Sequence, residues 1–200
     1  MIPAVIIPAV ILAGGRSQRL GGGDKCLLAL DERSILAHVI AALLPQAGEM
    51  LINSNSAPAL FDAVGLPVRA DVLPGRLGPL AGIHTAMVWA RERGAKEVLT
   101  VPADTPFLPG DLVARLSAAC EAGEAAIAAS QGELHPVIGL WPCALAERLE
   151  DHLAKEVYRV RAWLGRIDYA VVDFEGEVDP FWNINTPDDL QLARRAVLAR

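Results

Sequence analysis

Aromatic side chains are scarce in this chain, at 5% of residues, and cysteine occurs only three times, as Cys26, Cys120 and Cys143. An odd, widely spaced set without a C-x-x-C pair excludes a disulfide-stapled scaffold and suits a reducing cytosol. The four histidines, His38, His84, His135 and His152, lie too far apart for a local ligand pair, and H-E-x-x-H is missing, so zinc is not indicated. Basic residues are outnumbered, 18 against 24 acids for a formal charge of −6, and they do not interleave with aromatics. That balance argues against nucleic acid as a partner. Nor is there a membrane segment: the apolar start from Met1 to Gly15 lacks a basic leader, carries Pro3 and Pro8, and is too short to span a bilayer. A cytoplasmic location is expected.

What is abundant is aliphatic. Apolar residues make up 52% of the chain, so the core should be built from Ala, Val, Leu and Ile. Two hundred residues without a linker, repeat array or low-complexity block are expected to form a single domain over 1–200. Strands are expected at Val5 to Leu12, Met50 to Asn53, Pro67 to Ala70, Glu97 to Val101, Ala125 to Ala129, His135 to Leu140 and Tyr169 to Phe174. Helices should run from the Ser34 cap to Leu44, over Pro58 to Val64, from Gly78 to Arg93 with Gly94 as the stop, and from Pro109 or Asp111 to about Glu121. Three more are expected at Leu145 to Leu153, Tyr158 to Leu164, and from the Thr186-Pro187-Asp188-Asp189 capping box to Leu198. This alternation predicts an α/β fold with a mainly parallel, mixed sheet covered by helices on both faces.

The first strand delivers an unusual loop. Between Gly14 and Lys25 the chain places five glycines, Arg16, Arg19 and Lys25, with no acid before Asp24. Gly14 and Gly15 allow backbone N–H groups to approach an anion, and Gly21 to Gly23 allow positive φ, so the loop is suited to phosphate. An ordinary strand-to-helix connection is the competing reading. Two common phosphate motifs fail on spacing. Asp24 precedes the lysine and Cys26 follows it, against a P-loop, and Gly21-x-Gly23 places Cys26 where a dinucleotide fingerprint needs its third glycine.

Further polar residues fall at or after strand ends: Asn53, Asp71 and Asp104 join the loop at one edge of the expected sheet, where α/β proteins bind ligands. Asp104 leaves a buried strand beside the turn-forming Thr105-Pro106, as a hard-oxygen donor suited to Mg²⁺ or as a turn cap. Asn53 could equally organise its own loop, and Gly78-Pro79-Leu80-Ala81-Gly82 could be a plain helix start. Asn183 and Asn185 alternate, which puts both on one face of an expected strand. Trp182 could stack on a flat ligand, although a core role is the simpler reading for it and for Trp89, Trp141 and Trp163.

The blocks L-A-G-G-x-x-x-R-L-G-G-x-D-K, G-P-L-A-G, P-x-D-T-P and N-x-N-T-P-D-D-L, in that order from Leu12 to Leu190, resemble the MobA family of molybdenum cofactor guanylyltransferases. One glycine more than usual at Gly21 to Gly23, Cys26 at a commonly small position and Leu20 for Met are mild departures. The resemblance implies a three-layer, Rossmann-like nucleotidyltransferase fold. It makes Lys25, Asp104 and Arg19 catalytic, Asp104 the Mg²⁺ ligand, and Arg16 and Arg19 the lining for departing pyrophosphate. It carries nucleotide or cofactor contact to Leu12, Ala13, Gly14, Gly15, Asn53, Asp71, Gly78, Gly82, Asn183 and Asn185. Arg159, with Arg161, falls in a looser match to the cofactor-facing helix.

The implied reaction is attack by the terminal phosphate of molybdopterin on the α-phosphorus of GTP, with transient contact to molybdoenzymes or insertion chaperones. Rivals are a cytidylyltransferase on the same cofactor, disfavoured because Gly14-Gly15 stands where that family more often has L-A-A-G, and a guanylyltransferase acting on another small phosphorylated acceptor. Sugar-nucleotide synthesis lacks its C-terminal repeat domain here. A non-catalytic carrier of nucleotide or molybdopterin would have no need of Lys25 and Asp104.

Overall fold

The chain is described by a computed structural model over residues 7–14, 16, 17, 23–75, 77–121 and 123–198. Its frame is a seven-stranded sheet. The strands are β1 (Ala9–Leu12), β4 (Met50–Asn53), β5 (Val68–Arg69), β6 (Glu97–Pro102), β7 (Ala125–Ser130), β8 (Glu133–Pro142) and β9 (Tyr169–Asp173), in the order β5-β4-β1-β6-β8-β7-β9. Only β8 runs against its neighbours β6 and β7, so six strands share one direction. The reversal comes from the two-residue turn Gln131-Gly132, both at positive φ (52° and 78°), which returns the chain directly as a hairpin. A separate two-strand ladder pairs β2 (Arg16–Ser17) with β3 (Gly23–Asp24).

The central strand β1 is buried at all four residues because helices cover both faces of the sheet. Ile11, Ile52, Leu99 and Val101 pack with Leu36, Val39 and Leu43 of α1 (Ile35–Leu43) and with Leu112 and Leu116 of α3 (Leu112–Ala119). Val10, Leu12, Leu51 and Val98 face the other way. They meet α2 (Pro79–Glu92), α4 (Ala146–Leu153) and α5 (Val160–Leu164), with Trp89, Trp141 and Trp163 in this second core. The last helix, α6 (Pro187–Leu198), closes a small cluster with Ile35, Phe107 and Ile184. The mainly parallel, mixed sheet and its helical layers agree with the expectation.

The helix signals act as the sequence suggests. Ser34 Oγ accepts from the Ala37 amide, and Gly94 at φ 75° ends α2 with the Gly94 amide on the Arg91 carbonyl and that of Ala95 on Ala90. Thr186 and Asp189 cap α6 reciprocally: the Asp189 amide donates to Thr186 Oγ1 (3.1 Å) and the Thr186 amide to Asp189 Oδ2 (2.8 Å).

Several expectations need correction. Pro58–Val64 is a 3₁₀ helix rather than an α-helix, one short segment between Pro58 and the left-handed Gly65. The third strand is only Val68–Arg69, since the chain leaves the sheet edge before Asp71. Gly23 lies in the short strand β3, paired with Ser17. Residues 182–185 belong to no strand, because backbone tethers and not a ladder hold them.

Candidate active site

Parallel strands send their C-terminal ends to one edge, and the backbone ladder continues past them. The Ala13 amide donates to Asn53 O (2.8 Å) and that of Ala103 to Leu12 O (3.1 Å), so the exits of β1, β4 and β6 stay in register. The cleft between these exits is lined by Leu12, Ala13, Gly14, Asp24, Lys25 and Asp104. Gly14 is exposed there, and among the described residues a Cβ on it would meet nothing within 4 Å, so this side of the backbone is open to them.

One polar cluster sits on the β6 side. Lys25 Nζ forms an ion pair with Asp104 Oδ2 and donates to Asn185 Oδ1 at 2.6 Å. Asn185 reaches this point because the Ile184 amide donates to the Asp104 carbonyl (3.0 Å) and buries the Ile184 side chain completely, leaving Asn183 and Asn185 exposed on either side. The period-two reading of the asparagines therefore holds without the strand. Asn183 Oδ1 accepts from Thr105 Oγ1 at 2.9 Å, which gives the turn-forming threonine a second duty.

Asp104 Oδ1 is buried and has no hydrogen-bond partner among the described residues. Such an oxygen is available to a hard cation. No group of three or more His, Cys, Asp or Glu capable of holding a metal occurs among the described residues. One carboxylate with an amide oxygen nearby fits an ion that keeps most of its shell for water and phosphate, as Mg²⁺ does. Cys26 lies under the same cleft, where burial first, then the carboxylates of Asp24 and Asp104, push its thiol up to about 12. It is a packed thiol and not a nucleophile at neutral pH.

The second cluster sits on the β4 side. Asn53, 5% exposed, donates through Nδ2 to Asp71 Oδ1 (3.0 Å) and to the Arg69 carbonyl (3.2 Å). Asn55 secures Asp71 from the other side, donating to Oδ2 (2.7 Å) and accepting from the Asp71 amide (3.0 Å). Gly82 lies in the buried face of α2, where a Cβ would stand 2.6 Å from Asn53 Oδ1 and 3.0 Å from Leu12 Cδ2. Gly78 precedes the helix at φ 72°, with Pro79 in its first turn, so the G-P-L-A-G block is a helix start as well as a site segment. Ser56 Oγ, in the loop after β4, donates to Asp24 Oδ1 (3.2 Å) beside Lys25.

Other candidates are placed differently. Arg159 is exposed at the N-terminus of α5 and Arg161 is exposed two residues on; the carbonyl of neighbouring Tyr158 comes 3.9 Å from where a Gly78 Cβ would be. Trp182 stacks on Phe107, ring centroids 5.9 Å apart, half-buried beside α6, which favours the packing role. Gly15, Arg19, Gly21 and Gly22 lie outside the described residues.

Residues 9–170 match the model of the MobA-like NTP transferase domain. The chain is 46% identical over 195 residues to the molybdenum cofactor guanylyltransferase of Bradyrhizobium sp. (strain ORS 278), covering 94% of this chain and 92% of that one. It is 48% identical over 200 residues to the molybdenum cofactor guanylyltransferase of Rhizobium meliloti (strain 1021), covering 95% and 91%. The crystal structure of molybdopterin-guanine dinucleotide biosynthesis protein A from Archaeoglobus fulgidus superposes with a TM-score of 0.77 at 21% identity, over 97% of this chain and 100% of that one. By sequence match over nearly its whole length, the chain belongs to the MobA-like NTP transferase domain family and, within it, to the molybdenum cofactor guanylyltransferases.

Proposed function

We propose that residues 1–200 act as one nucleotidyltransferase domain that transfers GMP from GTP to the terminal phosphate of molybdopterin in its molybdenum-bearing form, releasing pyrophosphate. The observation that carries this reading is the pair of clusters flanking the open Gly14 backbone: Lys25, Asp104 and Asn185 on one side, Asn53, Asp71 and Gly82 on the other. A triphosphate laid along Gly14 would have its charge beside Lys25 and its nucleoside toward Asn53 and Asp71. The two named relatives support guanine and the molybdenum cofactor as the substrates.

An oxygen of the acceptor phosphate forms a bond to the α-phosphorus as the bond to the bridging α–β oxygen breaks, and the electron pair leaves on pyrophosphate. A phosphate monoester has its second pKa near 6 and is already largely ionised at neutral pH, so no general base is required. The chain's task is to hold two anions in line and to stabilise charge on the leaving group. Lys25 supplies a mobile point charge, and Arg19, with Arg16, is assigned to the leaving pyrophosphate. Asp104 would hold Mg²⁺, through the oxygen that lacks a partner, with Asn185 beside it. The ion, when bound, supplies Lewis-acid stabilisation of phosphate oxygens. Leu12 and Ala13 shape the floor, Gly78 opens the helix near the base, and Arg159 with Asn183 faces the acceptor. Three free thiols fit a cytoplasmic setting.

Pyrophosphate release with molybdopterin and Mg²⁺, comparing GTP with CTP, tests the reading. Turnover with GTP alone supports it. Turnover with CTP would move the base specificity, and silence with both despite nucleotide binding would favour a carrier or another acceptor.

A further inference from the structure

The segment carrying Asn183 and Asn185 lies outside the regular elements, so its position depends on tethers. Its C-terminal side is held by the Thr186–Asp189 cap, including the Asn185 amide on Asp189 Oδ2 at 3.0 Å. Its N-terminal side is held by Asp179. Asp179 Oδ1 accepts from the Phe181 amide (3.0 Å) and from the hydroxyl of Ser130 (2.7 Å), and the Asp179 carbonyl accepts from the Trp182 amide (3.2 Å). Ser130 is 1% exposed at the C-terminal end of β7, on the same sheet edge as the cleft. Its oxygen also lies 2.7 Å from His135 Nε2 in β8.

A serine has one proton to donate, and the carboxylate takes it. His135 Nε2 must therefore carry its own hydrogen and donate to Ser130 Oγ, which makes the chain of bonds run from His135 to Ser130 to Asp179. The imidazole packs on Phe181, centroids 4.9 Å apart. This order differs from that of a hydrolytic triad: the serine sits between acid and imidazole with its proton committed to the acid, so it is no nucleophile. The proposed reaction uses none of the three.

We infer that Ser130, His135 and Asp179 are positioning residues, a hydrogen-bonded relay at the β7–β8 hairpin that sets where Asn183 and Asn185 stand and, through Asn185, where the Lys25 ammonium stands. Residues 180 to 185 follow Asp179 directly, and the Ile184 amide on Asp104 is the next tether along. Losing the Ser130 hydroxyl leaves the His135 donor and the Asp179 acceptor short of a partner, and the segment shifts to satisfy them. This rests on the reading of Lys25 as the phosphate ligand.

The test uses the full chain in six forms: wild type, Ser130→Ala, Ser130→Thr, Asp179→Asn, Asn185→Ala, and Ser130→Ala combined with Asn185→Ala. Two readouts are taken, amide hydrogen exchange at Ile184 and calorimetric affinity for Mg²⁺ with GTP or CTP. Ser130→Ala is expected to speed Ile184 exchange about tenfold and to weaken nucleotide binding roughly three- to tenfold. Ser130→Thr keeps the hydroxyl and Asp179→Asn keeps the accepting oxygen, so both should retain most of each. The affinity loss should vanish when Asn185 is already alanine, as it would not for a general loss of stability. Unchanged Ile184 exchange in Ser130→Ala, or the same affinity loss in the Asn185→Ala background, overturns the inference. A wild type that binds neither nucleotide overturns the reaction instead, and the exchange arm then decides the relay by itself.

Discussion

Lys25 and Asn185 stand 160 positions apart in the chain, and the ammonium of one donates to the amide oxygen of the other across 2.6 Å. Asp104 completes the group, its side chain 15% exposed against 18% for Lys25, so the pair is shielded enough for its charges to matter and open enough for a ligand to enter. On the proposed function, a phosphate arriving beside Gly14 would compete with Asp104 for the lysine.

Asp104→Asn keeps the volume and removes the charge. Turnover in the pyrophosphate assay should fall by about a hundredfold or more, while the melting temperature stays near that of the wild type. Retained magnesium-dependent turnover would show that Asp104 is not the metal ligand.

Gly82→Ala places a methyl 2.6 Å from Asn53 Oδ1 in a helix that would otherwise gain from alanine. Overpacking of this kind costs about 1–3 kcal/mol, against a helix-propensity gain of about 1 kcal/mol. Asn53 is the group that moves, loosening its bond to Asp71. The expected result is a raised KM for GTP with a smaller change in kcat, read from steady-state kinetics; an unaltered KM would mean that Asn53 does not face the nucleotide.

Asp189→Ala removes the acceptor for both the Asn185 and Thr186 amides. Loss of a cap lowers stability by about 1 kcal/mol, measurable as a lower urea midpoint at constant slope. Activity should fall further than that destabilisation explains, because the freed amide belongs to Asn185.

His84 is 1% exposed in α2, with Glu150 Oε2 3.5 Å from its Nε2. Burial holds its imidazole below the usual range, against the opposing pull of Glu150; burial lowers His135 and His152 as well. A folded state that refuses a proton accepted by the unfolded chain loses stability as pH falls below about 6.5, by up to about 1.4 kcal/mol per pH unit for each such group. Urea midpoints at pH 7.5 and 5.5 should therefore drop more for wild type than for His84→Gln. Parallel drops would place the acid sensitivity elsewhere.

Much of the fold was legible because its signals are local. Ser34, Gly94, Pro79 and the Thr186–Asp189 box act within a turn of their own positions, and all four do what the sequence suggests. The strands Met50–Asn53 and Glu97–Pro102 are apolar runs whose ends place Asn53 and Asp104 at the cleft. The weaker readings fell where length or context decides: a seven-residue segment ending at Gly65 that settles as 3₁₀, and an asparagine pair whose alternation looked like a strand. Asn55, Ser56, Thr105 and Ser130 carry no periodic or motif signal strong enough to single them out, since short polar residues are equally at home in any turn.

By itself the sequence determined the elements and the chemistry each could bring: an aliphatic strand feeding a glycine-rich basic loop, a carboxylate at a strand exit, asparagines two apart. These follow from side-chain size, charge and backbone freedom within a few residues. Only the tertiary structure decided which of them meet. It put Lys25 between Asp104 and Asn185, packed Gly82 against Asn53, and tied Ser130 to Asp179. Contacts over such separations depend on sheet order and on the hairpin at Gln131-Gly132, which arise from packing of the whole chain and leave no mark at any single position.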